Sequence, residues 1–179
     1  MTDYDVVVYG PIFCDLIFKG LPSMPILGKE LYASDFTLTV GGSAIVAYGL
    51  HRLGAKVGLI ADLGSDLVSD ILWTLLGDLG LDRSLINKCD RPLRHITAAL
   101  TFPEDRAFVT YYEKEDAATD ISAILRENAT RHLHICSFLA ALNVPNAPQC
   151  AHAAGATVSM DLGWDEKALA DRQLRDQID

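Results

Sequence analysis

The sequence predicts an α/β fold, a parallel sheet with helices on both faces, and three observations carry that prediction. Tyr4 to Gly10 is a near-continuous Val run ending in Gly, the pattern of a strand buried on both faces. Strand and helix patterns then alternate along the chain, the order expected of a layered α/β domain. Hydrophobic residues make up 50% and charged residues 22% of the 179 positions, a globular composition that excludes disorder and collagen-like repeats. A chain of this length buries roughly 70% of the surface its unfolded form exposes, enough for a core without staples.

The elements follow in order. The first strand runs out through Gly10-Pro11-Ile12-Phe13, and a helix is expected from Ser43 to Leu53 with Gly54 as its stop. Lys56 to Ala61 reads as a second strand and Asp66 to Leu79 as a second helix, with Asp66 and Asp70 in its first turn and Gly80 after it. Two stretches, Cys14 to Val40 and Leu93 to Tyr112, are longer than ordinary connections and hold β-branched and aromatic segments such as Phe36–Val40 and Phe108–Tyr112. Pro103-Glu104-Asp105 between Ile96–Phe102 and Arg106–Tyr112 has the chemistry of a hairpin turn, so both insertions are expected to pair into a small separate sheet. The alternation resumes with a helix from about Ile121 to Arg131, a strand at Leu133–Cys136, a helical stretch around Pro148–Ala154 and a strand at Thr157–Asp161. The eighteen polar-rich residues after Asp161 suffice for one more helix, so the sheet is expected to stop short, with Lys167 to Asp179 over its edge.

The net charge of -9 repels phosphate backbones, so no nucleic-acid partner is expected. No apolar stretch reaches the roughly 18 residues of a membrane helix. Met1 to Asp5 carries acids where a signal peptide carries bases, so a cytoplasmic protein with no membrane partner is expected. Cys14, Cys89, Cys136 and Cys150 form no Cys-x-x-Cys pair and are expected to be reduced and mostly buried. His132 and His134 are expected on one face of a strand, and two imidazoles without a third ligand are structural rather than a zinc site.

Nucleotide loops of the familiar kinds are absent. The first strand is followed by one glycine and a proline, not Gly-x-Gly-x-x-Gly, and Gly28-Lys29-Glu30 lacks the first glycine and the hydroxyl of a Walker A loop. Two features do converge. Gly41-Gly42 lies where a strand passes into a helix, and two missing side chains let a ligand approach the backbone and the helix N-terminus behind it. Asp15 closely follows the first strand among Phe13, Leu16 and Ile17, where a carboxylate needs donors such as sugar hydroxyls. Both belong at the carboxyl ends of the strands, where α/β sheets bind ligands.

Val6 to Leu16, the Pro22–Gly28 link, Gly41-Gly42, Arg52-Leu53-Gly54-Ala55 and Ala61-Asp62-Leu63-Gly64-Ser65-Asp66 together resemble the N-terminal half of ribokinase-like (PfkB-type) carbohydrate kinases. The spacing from the glycine pair through Ala47 and Gly54 to Gly64 matches that family's first signature in its glycines. Asp105-Arg106-Ala107-Phe108 and the Val158–Asp165 segment are similar to its second lid segment and to its strand ending in Asp. The resemblance implies a Rossmann-like domain with a small β lid, here residues 14–40 and 93–112, and makes residues 1–179 one incomplete domain that stops before the ATP-binding half. It implies ATP-dependent phosphorylation of a hydroxyl on a sugar or nucleoside, with Mg²⁺. By the same resemblance Asp15 binds substrate hydroxyls, Gly41, Gly42 and Ser43 pass the backbone under the sugar, and the lid segment from Arg106 to Tyr112 contacts substrate and shuts out water.

Two departures shape the expectation. The Asn that the signature places in the helix after the glycines is replaced by Ile45 or Val46, which alters the polar grip on the sugar. The family's Gly-Ala-Gly-Asp run, with its base and anion hole, has no counterpart. The nearest segment, Ala153-Ala154-Gly155-Ala156, has no Asp. Asp161 and Asp165 read as structural or phosphate-side acids, so no catalytic or ATP-binding residue is assigned and the chain alone is expected to be inactive as a kinase. The alternative is a non-catalytic sugar-binding or dimerisation module, a homodimer forming along Phe36–Val40 or Phe108–Tyr112.

Overall fold

The computed structural model describes residues 3–113, 119–163, 166, 170–172 and 176–179. The chain runs β1 (Tyr4–Tyr9), β2 (Ile12–Lys19), β3 (Asp35–Gly42), α1 (Ser43–Arg52), β4 (Val57–Leu63), α2 (Leu67–Asp78), β5 (Ile86–Lys88), β6 (His95–Thr101), β7 (Arg106–Tyr112), α3 (Ile121–Glu127), β8 (Thr130–Ile135), α4 (Phe138–Asn143), α5 (Ala147–Ala153) and β9 (Thr157–Met160). Five strands make one sheet in the order β5-β4-β1-β8-β9, every pair parallel. Val7 and Val8, which point to opposite faces of β1, are both completely buried. On one side Val8, Leu59 and Ala61 pack with Leu72 and Leu76 of α2 and Ala44 and Ala47 of α1. On the other, Val7, Leu133, Ile135 and Val158 pack with Ile121, Leu125, Ala140 and Ala151 of the later helices. The doubly covered parallel sheet is the expected α/β class.

The other four strands form the small sheet, in the order β3-β2-β6-β7. β2 is antiparallel to β3 and parallel to β6, and β6 and β7 are the expected hairpin, closed by the Phe102 N–H donating to the Asp105 carbonyl at 2.8 Å. Both segments expected to pair outward, within β3 and β7, are its free edges.

The structure departs from the sequence expectation in five places. β2 is a full strand of its own: Gly10-Pro11 leads the chain out of the large sheet, since Pro11 has no N–H with which to continue the ladder. β4 continues two residues past Ala61, where it pairs with the unexpected three-residue β5. α3 ends at Glu127 instead of Arg131. Asn128 is extended, and its side-chain amide donates to the Ile124 carbonyl at 2.9 Å, satisfying a helix-end acceptor. The next residues are drawn into β8 by pairing with β1, Tyr4 opposite Thr130. α4 is a further unexpected helix, capped by the Ser137 hydroxyl, which accepts from the Ala140 N–H at 3.0 Å. Of the four cysteines only Cys14 is buried, the others being half-buried.

Asp165 and much of Lys167–Asp179 lie outside the described residues. Asp179 does meet the β9 edge, its N–H donating to the Val158 carbonyl at 2.9 Å and its carboxylate accepting from the Val158 N–H at 2.7 Å. Among the described residues no helix is long and apolar enough to cross a membrane.

Candidate functional site

From β1 the chain first crosses to β4 and β5 and later returns to β8 and β9 on the other side, so the strand order reverses at β1. Ligands of open α/β sheets bind outside the carboxyl end of such a strand. That end of β1 leads through Gly10-Pro11 directly into β2, which brings the base of the small sheet to this position.

Residues level with one another on neighbouring strands share a face. The register sets Thr39, Asp15, Thr97 and Thr110 in one row across the small sheet. The hydroxyls of Thr97 and Thr110 are 3.2 Å apart. One step nearer the base, the same face carries Gly41, Phe13, His95 and Tyr112. Their rings form a cluster, with His95 stacked on Tyr112 at 4.6 Å between centroids and 11° between planes, and Phe13 at 5.3 Å from His95 and 6.1 Å from Tyr112.

Asp15 is the centre of this face. Its carboxylate is half-buried and, among the described residues, accepts no hydrogen bond, so burial pushes its pKa above the usual carboxylate value. A side chain at Gly41 would collide with that carboxylate, and glycine is what leaves room for it. Gly42, at φ +61° and ψ -134°, holds a backbone conformation that side chains disfavour, and a Cβ there would strike the Pro11 carbonyl and come within 2.9 Å of the Phe13 ring. Behind it, the first N–H of α1, that of Ser43, donates to the Pro11 carbonyl at 3.0 Å, and no described side chain caps the N–H groups that follow.

The structure brings Asp15, Gly41, Gly42 and Tyr112 together and separates the other two expected contacts. Ser43 is 0% exposed, and its hydroxyl donates to the carbonyls of Gly10 at 2.8 Å and Pro11 at 3.1 Å. It fastens the β1–β2 turn to α1 instead of facing a ligand. Arg106 lies at the hairpin tip, four residues and about 13 Å of strand from Thr110, with its guanidinium 5.6 Å from the centre of the Phe108 ring. Of the two helix positions where an Asn was expected, Val46 packs into the core beside α2 and Ile45 is 50% exposed.

Sequence reasoning missed Thr39, Thr97, Phe13 and His95. The signal was present in the alternation phase, since Phe13 is two residues from Asp15 and therefore on its face. His95 is 1% exposed, and burial holds its pKa below the ordinary value. Its Nε2 lies 2.9 Å from the Glu113 carbonyl, which only accepts, so that nitrogen carries the proton.

The strands are tied to the body at their roots. Arg94 donates from its backbone N–H and from Nε to the Glu113 carboxylate at 2.9 and 3.0 Å, and these bonds hold Glu113 down to about 2. Asp66 accepts from Val68 N–H, Ser69 N–H, Ser69 Oγ and Leu93 N–H at 2.8 to 3.1 Å. Burial pushes its pKa up, but these four donors outweigh burial and leave it lowered.

Away from this face, His132 and His134 do share a side of the large sheet. His132 lies 2.7 Å from both Thr157 Oγ1 and Ser159 Oγ, and His134 lies 2.8 Å from the same Ser159 oxygen. Among the described residues no three His, Cys, Asp or Glu side chains converge on a possible metal position.

The pfkB family carbohydrate kinase model matches residues 4–179. No curated protein sequence matches the chain. Among solved structures, the Arabidopsis thaliana ribokinase complexed with ribose and ATP superposes with TM-score 0.77 at 18% identity, over 100% of this chain and 59% of that one. The PfkB protein from Polaromonas sp. JS666 gives TM-score 0.69 at 23% identity, over 97% and 60%. The Xylella fastidiosa fructokinase with bound ATP gives 0.67 at 21% identity, over 92% and 53%. This chain thus spans between 53% and 60% of the length of these solved proteins.

Proposed function

The chain belongs to the pfkB family of carbohydrate kinases, and on that footing we propose that it supplies the acceptor-binding half and the lid of an ATP-dependent kinase acting on a hydroxyl of a sugar or related compound. The observation that carries this reading is the Asp15 carboxylate, half-buried beside Gly41 with no donor among the described residues, at the end of the strand where the sheet order reverses. A desolvated acceptor of that kind is satisfied by ligand hydroxyls. In the transfer, an acceptor hydroxyl oxygen bonds to the γ-phosphorus of ATP, the bond from that phosphorus to the β–γ bridging oxygen breaks, ADP leaves and the hydroxyl proton is released.

This chain's part in that step is to grip the acceptor and to close the small sheet over it as a lid, residues 14–40 and 93–112, excluding water that would otherwise take the phosphoryl group. ATP is the expected donor, and Mg²⁺ would neutralise its phosphates when bound. The described residues do not present a cluster that fits the metal, and none is assigned to it. No residue of the chain is assigned as base, so acceptor binding without phosphoryl transfer is the expected behaviour of these 179 residues by themselves. The free edges β3 and β7 support pairing of two lids into a homodimer, with Phe36 and Val109 50% and 66% exposed beside them. A cytoplasmic location goes with the use of ATP.

Calorimetric titration of the chain with a panel of sugars and nucleosides tests the reading. At least one is expected to bind, and Asp15→Asn is expected to weaken that binding about 10- to 100-fold, the worth of a charge-assisted hydrogen bond. A folded chain that binds no member of the panel, or binds one equally well as Asp15→Asn, overturns it.

A further inference from the structure

We propose that Ser159 is a second reactive centre, a nucleophilic hydroxyl that takes the acyl group of small uncharged esters with a good leaving group, with His132 as its general base and Thr157 as the residue that positions that base. It lies on the large sheet, away from the Asp15 face.

β8 and β9 pair in parallel, with His132 level with Thr157 and His134 level with Ser159. Leu133, Ile135 and Val158 point into the core beneath α3, α4 and α5, so the four polar side chains share the opposite face of the two strands. On that side α1 and α2 pack over Val8, Leu59 and Ala61 of β1 and β4. Ser159, His132 and His134 are only half-buried and Thr157 is exposed, so a small molecule can reach the serine.

The hydrogen bonds of this cluster run in one direction. Ser159 Oγ lies 2.7 Å from Nε2 of His132 and 2.8 Å from Nδ1 of His134, and Nδ1 of His132 lies 2.7 Å from Thr157 Oγ1. The Thr157 hydroxyl has one further acceptor in reach, the Arg131 carbonyl at 3.4 Å, and it donates there. Thr157 therefore accepts the Nδ1–H of His132, which leaves Nε2 of His132 bare and able only to accept the Ser159 proton. His134 completes the array by donating its Nδ1–H to the same serine oxygen. Burial lowers the pKa of both imidazoles, which keeps His132 in the neutral form that a base requires. A hydroxyl bonded to an imidazole whose far nitrogen is itself held is the arrangement that activates a serine.

In the step, Ser159 Oγ bonds to the acyl carbon, the bond from that carbon to the leaving oxygen breaks, and the Oγ proton passes to Nε2 of His132 and on to solvent. The N–H groups of a strand lie in the plane of its sheet, so none projects from this face to hold an oxyanion. Transfer then depends on the leaving group, and the product, an ordinary serine ester with a poor one, accumulates. Asp161 and Asp179 act electrostatically on His134 and His132, and their charge disfavours an anionic donor.

The test is incubation of the folded chain with p-nitrophenyl acetate at neutral pH, followed by peptide mapping in a mass spectrometer. Acetylation of Ser159 is expected at least tenfold faster than that of any other serine or threonine, a preference that urea denaturation abolishes. His132→Gln should slow Ser159 labelling at least tenfold, while His134→Gln leaves it within about threefold. Thr157→Val should slow it as well and Thr157→Ser restore it, all variants melting within a few degrees of the parent. Acetyl groups confined to imidazoles and amines, or Ser159 labelled no faster than other hydroxyls of the folded parent, would overturn the proposal. Labelling that survives in His132→Gln and is lost in His134→Gln would reverse the array and overturn the assignment of the base.

Discussion

The two sheets of this protein differ in how far they are covered. In the five-stranded sheet the strands are packed between two helical layers, and Val7, Val8, Ile60, Leu133 and Val158 are all essentially inaccessible. In the four-stranded sheet β7 is exposed at most positions, and its apolar residues Phe108, Val109 and Tyr111 lie at the surface. The large sheet is stable because of what it buries. The small one buries only its inner side, where Ile12, Cys14 and Val40 join the core of α1 and α2, and is clamped at its roots, while the row of Asp15 and the outer strand β7 stay partly or fully exposed. Stability and binding are thus allotted to different regions, and substitutions can separate them.

The largest contrast should come from apolar truncation. Leu133→Ala, in the centre of the large sheet, is expected to cost about 2–5 kcal/mol in chemical denaturation, whereas Val109→Ala on the small sheet should stay within about 0.5 kcal/mol. Equal losses would mean that β7 is packed as tightly as the centre of the large sheet. Next in size is the root clamp. Asp66→Ala removes both the α2 cap and the acceptor for Leu93, and about 1–2 kcal/mol should be lost. Because the folded pKa of Asp66 lies below the unfolded value near 3.9, its contribution is present above that pH and lost as pH falls through the folded value. A parent and variant that melt alike at pH 7 would remove Asp66 from the account.

His95 should give a smaller effect of opposite cause. Its folded pKa is below the unfolded value of about 6.5, so protonation opposes folding and stability should decline as pH drops from there toward the folded pKa. His95→Phe, which can keep the ring contacts with Phe13 and Tyr112, should flatten that part of the pH–stability curve, and an unchanged curve would assign it to the other histidines. The smallest effect is a gain. Burial raises the Asp15 pKa, so its charge costs stability above the unfolded carboxylate range, and Asp15→Asn should raise the melting temperature slightly at pH 7 while impairing binding. A drop in melting temperature would show that Asp15 is a structural acceptor.

The same division explains what could be read from the residues alone. β1, α1, α2 and β9 were legible because continuous apolar runs and helix punctuation are local signals, and Asp66 and Gly54 fall where the caps require them. β2 was hidden because Gly10-Pro11 looks like the end of a strand and gives no sign that another begins within two residues. The boundary between α3 and β8 was misplaced because Thr130 to His132 owes its strand state to pairing with β1, which no local pattern records. At the candidate site, Asp15 and the glycine pair stand out by position next to strand ends. Thr97 and His95 do not, since they reach Asp15 only through a register between segments far apart in sequence.

That register also bears on how the protein folds. Pairing Cys14 with Ile96 closes a loop of more than eighty residues, and the enclosed segment contains α1, β4 and α2. Loop-closure cost rises only slowly with length, so the penalty falls on the folding rate more than on the final stability. The small sheet is therefore expected to zip up late, after the enclosed α/β layers have condensed. Substitutions at Ala99 should accelerate unfolding and leave refolding nearly unchanged in stopped-flow kinetics. Before that last step, β2 has only β3 beside it and its other edge is open, and the nascent chain is most prone to aggregate in that interval.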